Sequence, residues 1–72
     1  MDIAKKIRDA MLEAGDISDA ELARRMGTTR QNIYRKLQPN APAWNVSDLE
    51  RVAAACGAEL RIDFVFPDGR TV

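Results

Sequence analysis

Apolar positions recur along most of the chain at the spacing of an α-helix, and near its end at the spacing of a strand. Ile3, Ile7 and Met11 stand four apart with Ala4, Ala10 and Ala14 beside them, while Lys5, Lys6, Arg8, Asp9 and Glu13 take the opposite side. This predicts an amphipathic helix over 3–14, capped by Asp2 and ended by Gly15. Leu22, Ala23 and Met26 form a shorter stripe. Ser18-Asp19-Ala20-Glu21 has the form of a capping box, Ile17 and Leu22 flank it at staple spacing, and Gly27 stands where a left-handed residue closes a helix of about two turns.

Thr29 offers a hydroxyl cap for a third helix, 30–37, in which Ile33 and Leu37 stack as the buried pair. Only Gly27, Thr28 and Thr29 separate it from the second helix, which forces the sharp bend of a helix-turn-helix. Pro39, Asn40, Pro42 and Asn45 make 38–46 a loop. A second capping box, Ser47-Asp48-Leu49-Glu50, then opens a fourth helix carrying Leu49, Val52, Ala53 and Cys56 on one face and ending at Gly57.

The period then changes to two. Leu60, Ile62, Phe64 and Phe66 alternate with Glu59, Arg61, Asp63 and Val65, the pattern of a strand with one apolar face. Pro67-Asp68-Gly69-Arg70 makes a turn, but Thr71 and Val72 leave too little chain for a full partner strand, so the expected partner is the same strand of a second copy. The expected fold is mainly α: four short helices with a central helix-turn-helix plus one C-terminal β-strand paired across a homodimer. One domain is expected over 1–72, with 3–57 as the helical core and 58–72 as the dimerising strand and tail, Leu60, Ile62, Phe64 and Phe66 forming the contact.

Composition narrows the chemistry. A chain of 72 residues buries about 60% of its unfolded surface, and its core supplies on the order of 3–5 kcal/mol. Cys56 is the single cysteine and histidine is absent, which removes a disulfide, the usual zinc ligand sets and catalysis by histidine. There is no nucleophile-base pair or phosphate loop either, so no enzyme, cofactor, metal or small-molecule substrate is expected. No apolar run approaches the roughly 18 residues of a membrane span, and a soluble cytoplasmic protein is expected.

Eleven basic and eleven acidic residues give a net charge of zero, which argues against coating nucleic acid by bulk electrostatics. The distribution is uneven. Between Leu22 and Ser47 stand Arg24, Arg25, Arg30, Arg35 and Lys36 and no acid. A local basic face on a neutral chain fits contact with a particular DNA site.

A helix-turn-helix needs a small residue where its helices touch, a residue tolerant of positive φ in the turn and a branched anchor in the second helix; Ala23, Gly27 and Ile33 take these places. Through Ala20-Glu21-Leu22-Ala23-Arg24-Arg25-Met26-Gly27-Thr28-Thr29-Arg30-Gln31-Asn32-Ile33 the chain resembles the phage repressor and Cro family, the lambda-repressor-like domains, over roughly 3–57. The resemblance implies that the helix starting at Arg30 lies in the major groove of double-stranded DNA. It also implies dimers on a pseudo-palindromic operator with half-sites about one helical turn apart. Two positions depart from the family pattern. Asp19 stands where many relatives carry a phosphate-binding glutamine, and is expected to orient Arg30; Lys36 stands where an apolar or aromatic residue is usual, leaving Leu37 the core role.

Helical spacing agrees independently. Arg30 with Tyr34 and Gln31 with Arg35 form a polar strip displaced from the Ile33–Leu37 anchor. Arginine donates two bonds to guanine, glutamine both donates to and accepts from adenine, and Tyr34 meets a thymine methyl or a phosphate. These four are the expected base contacts. Thr29, Asn32 and Lys36, and beside the fourth helix Asn40, Asn45 and Ser47, are the expected contacts to the DNA backbone. Arg24 and Arg25 read as a solvated face, Trp44 as a lid over the core and Cys56 as core. The expected function is a homodimeric transcriptional regulator of the repressor type; the alternative is a protein-interaction module such as an antitoxin, with DNA contact secondary.

Overall fold

Each helix begins where a side chain accepts a bond from a backbone N–H of the first turn. Asp2 caps Lys5, Ser18 caps Glu21 and Thr29 caps Asn32, each at 3.1 Å, and Asn45 caps Asp48 at 2.7 Å. The resulting elements are α1 (Ile3–Glu13), α2 (Asp19–Met26), α3 (Arg30–Lys36) and α4 (Val46–Ala55). The computed structural model describes residues 2–41 and 43–72; Pro42, part of the expected loop, lies outside the described residues.

Two expectations about caps are corrected. At α2 the Ser18 half of the box forms, but the Glu21 carboxylate turns instead to Arg24 and Arg25. α4 starts ahead of its predicted box, with Asn45 as the cap and Ser47 inside the first turn. Asparagine caps at least as well as serine, and the earlier start adds the bond from Leu49 N–H to the Asn45 carbonyl at 3.1 Å.

Gly27 closes α2 with φ of 71°, a left-handed conformation costly for residues with a Cβ. The Thr28 N–H then reaches back to the Ala23 carbonyl at 2.9 Å, a Schellman closure that reverses the chain within three residues. This is the expected turn of the helix-turn-helix, and α2 packs against both α3 and α4.

The buried core consists of Ile7 and Met11 from α1, Leu22, Ala23 and Met26 from α2, Ile33 from α3, Leu37 beyond it and Val52 from α4. Leu22 at 0% and Ile33 at 1% exposure are its largest fully buried side chains, each contributing about 1.5–3 kcal/mol by burial. Trp44, Leu49 and Cys56 pack around it half-buried. Two arginines tie α2 to α4 reciprocally. Arg25 of α2 donates to the Ala55 carbonyl at the end of α4 at 2.9 Å, and Arg51 of α4 donates to the Met26 carbonyl at the end of α2. Each places a cation against the negative end of the other helix.

The C-terminal expectation is corrected. Among the described residues no strand spans 60–66; Val65 and Thr71 form an isolated antiparallel bridge within the chain. Phe64 and Val72 exchange two backbone bonds at 2.7 and 3.0 Å, and the Phe66 N–H donates to the Arg70 carbonyl at 2.8 Å. The Gly69 N–H closes the turn on the Phe66 carbonyl at 2.9 Å, with Gly69 at φ of 91°. Pro67, Asp68 and Gly69 thus make a three-residue hairpin loop, after which Thr71 and Val72 suffice to pair with Val65 and Phe64. The expectation failed because it measured the tail against a full strand, whereas so tight a loop needs only a few partner residues.

Ile33 joins α3 to the rest, and its truncation tests the core. Ile33→Ala should cost about 2–5 kcal/mol, comparable with the stability a core of this size supplies. Urea denaturation followed by circular dichroism should show loss of the cooperative transition at 25 °C; an unchanged midpoint would contradict the packing described.

Candidate nucleic-acid interface

α3 is two turns long and has two unlike sides. Ile33 and the following Leu37 are buried, whereas Arg30, Gln31, Tyr34 and Arg35 are exposed. The four residues expected to contact bases therefore share the outward face, held there by the anchor on the opposite side. Two polar atoms of that face are aimed by neighbours. Thr28 Oγ1 accepts from Asn32 Nδ2 at 2.9 Å, and Asn32 Oδ1 accepts from Arg35 at 2.8 Å. Thr28, Thr29, Gln31, Asn32 and Arg35 line one shallow groove.

The five cations of the acid-free stretch separate into two groups. Glu21 accepts from Arg24 and, at 2.8 Å, from Arg25, and those bonds, Arg24's first, lower its pKa from the usual 4.5 to about 2. Lys36 is turned inward. Its ammonium lies 2.7 Å from the Asp48 carboxylate and 4.5 Å from the centre of the Trp44 ring, and the Trp44 Nε1 donates to the Lys36 carbonyl at 3.1 Å. The bond from Lys36 holds Asp48 below the usual carboxylate range. Arg30 and Arg35 remain with no carboxylate partner among the described residues, and both lie on the exposed face of α3. Arg24 is also exposed, but it is paired with Glu21; the exposed cations of the helix-turn-helix without a carboxylate partner among the described residues are these two of α3.

Lys36 differs from its expected role as a phosphate contact: a carboxylate and an indole face satisfy it within the protein. Asp19 does not orient Arg30; its carboxylate pairs instead with Arg8 of α1 at 3.6 Å. Asn40, Ser47 and Thr29 are exposed, the last with its hydroxyl engaged as the α3 cap. Asn45 is exposed with its side-chain carbonyl engaged as the α4 cap. Leu60 is half-buried, while Ile62, Phe64 and Phe66 are exposed on the hairpin and the segment leading into it.

The sequence reading missed Thr28, Arg25 and Arg51. Thr28 and Asn32 stand four apart across a helix start, a signal that was legible. The arginine clasps join residues 30 and 25 positions apart and carried no local signal.

Comparison with protein families, characterised proteins and solved structures finds no match. Among the described residues no helix is long and apolar enough to cross a membrane.

The lowered Glu21 pKa carries a sign. A carboxylate held at about 2 when folded and near 4.5 when unfolded stabilises the fold at higher pH, and that contribution is lost as pH falls from the upper value toward the lower. Asp48, also lowered, acts in the same direction. Thermal melts should therefore shift downward on acidification across this window, and Glu21→Gln should flatten the shift; an identical profile in the variant would contradict the pairing.

Proposed function

We propose that the chain is a sequence-specific regulator that binds double-stranded DNA by laying α3 in the major groove, acting as a repressor and as a homodimer. The observation that carries the proposal is the outward face of α3. It joins two cations without carboxylate partners among the described residues, Arg30 and Arg35, to an amide, Gln31, and a phenol, Tyr34, on one two-turn helix. Phosphates attract the cations, and the forked donors and the amide match base edges in the groove. Arg24, Arg25 and Lys36 belong to the ion pairs of the fold, so Thr29, Asn40, Asn45 and Ser47 are the proposed contacts to the DNA backbone.

Dimerisation is assigned to the C-terminal segment. Ile62, Phe64, Val65, Phe66 and Val72 are all exposed on the hairpin and the segment leading into it, Phe64 and Val65 at 71%, with Val72 paired to Phe64 through the backbone. Apolar exposure of this kind marks an interaction surface. The same exposed apolar residues favour a second reading, a protein-interaction module such as an antitoxin, in which the hairpin meets a different protein.

Selection of sites from random duplexes tests the first reading. A pseudo-palindromic site should emerge whose affinity falls steeply with salt, and Arg30→Ala or Gln31→Ala should weaken it by about 1–3 kcal/mol; failure to enrich any duplex would leave the second reading. In sedimentation at micromolar concentration the chain should be a dimer that Phe64→Glu dissociates, and a monomeric wild type would contradict the dimer.

A further inference from the structure

The two arginines of the outward face are held differently. Arg35 donates to Asn32 Oδ1 at 2.8 Å, and Asn32 is itself fixed by donating from Nδ2 to Thr28 Oγ1 at 2.9 Å. The amide orientation follows from the partners, because a guanidinium only donates and must face the amide oxygen. Thr28 in turn is held by its backbone N–H in the Schellman closure of α2. The chain Thr28–Asn32–Arg35 therefore runs from the turn to the exposed guanidinium. Arg30 makes no hydrogen bond or ion pair of its side chain among the described residues.

We infer that Asn32, anchored by Thr28, is a positioning residue that makes Arg35 the sharper base reader of the two, and that the base it reads is guanine. This rests on the DNA-binding reading above. A guanidinium carries five N–H groups, so one bond to Asn32 leaves a fork free for a second partner. Guanine presents two acceptors, N7 and O6, side by side in the major groove. Adenine pairs an acceptor with a donor there, cytosine presents a donor, and thymine has one acceptor beside a methyl, so none satisfies a fixed fork. A restrained side chain has less freedom to lose on binding and less reach toward a phosphate, and both effects favour one base over the others. Arg30, unrestrained, can follow either a base or the DNA backbone and discriminates less. Asn32 itself is half-buried within this chain of bonds, which gives it an indirect part in place of the direct backbone contact expected from the sequence.

The test is site selection from random duplexes with the full chain, comparing the wild type with Arg35→Ala, Asn32→Ala, Thr28→Val and Thr28→Ser, each checked for helicity by circular dichroism. The wild type should enrich one guanine per half-site that Arg35→Ala no longer prefers. Asn32→Ala should lower the preference for that guanine about three- to tenfold and leave the other positions unchanged. Thr28→Val should act in the same direction even if Asn32→Ala fails to fold, and Thr28→Ser, which keeps the hydroxyl, should restore the preference. A guanine preference unchanged in Asn32→Ala and Thr28→Val overturns the inference while leaving DNA binding intact, as does an equal weakening of every sequence. A wild type that enriches no duplex overturns the DNA-binding reading and the inference with it.

Discussion

The arrangement depends on burying Ile33 of α3 beside Leu22 of α2. These are the two largest side chains fully removed from solvent, and in a core this small their loss would not be absorbed elsewhere. Ala23, with only a methyl group, leaves room where α2 packs, and Gly27 allows the chain to reverse at once into Thr29 and the cap of α3. A helix of seven residues has little intrinsic stability. α3 therefore owes its existence to this anchor, and the anchor also decides which of its residues face outward.

Around that core the charged residues largely satisfy one another. Glu21 holds Arg24 and Arg25, Asp19 holds Arg8, and Asp48 holds Lys36 beneath Trp44. Arg25 and Arg51 additionally close the ends of α4 and α2. Glu21 is shared by two arginines and leaves one positive charge on α2, and the cations of the helix-turn-helix with no carboxylate partner among the described residues, Arg30 and Arg35, lie on α3. The proposed function follows from this division: the pairing concentrates Arg30 and Arg35 where Gln31 and Tyr34 also emerge.

Much of this was legible because it is local. The caps at Asp2, Ser18 and Thr29, the left-handed Gly27 and the Ile33–Leu37 anchor all follow from contacts within four residues, where helical geometry dictates who meets whom. The start of α4 was misplaced because Asn45 and Ser47 both suit a cap, and the choice between them lies in the competing first turns. Lys36 was misread because its partners, Trp44 and Asp48, come back to it across a loop. Asp19 was misread for a similar reason, its partner lying on α1. The hairpin was hidden by the brevity of its second arm. On α3, helical period separated the exposed strip correctly, but not which of its arginines is restrained; that depended on Thr28, a residue of the turn.

The central claim is that the outward face of α3 is the docking surface for duplex DNA. The most direct measurement is the change in backbone amide NMR shifts when a duplex recovered by selection is added to the labelled chain. The account predicts that the largest changes fall on Thr28–Arg35, with the start of α4 next and the outer face of α1 unaffected. Changes concentrated on the C-terminal hairpin or on α1, with α3 unmoved, would contradict it.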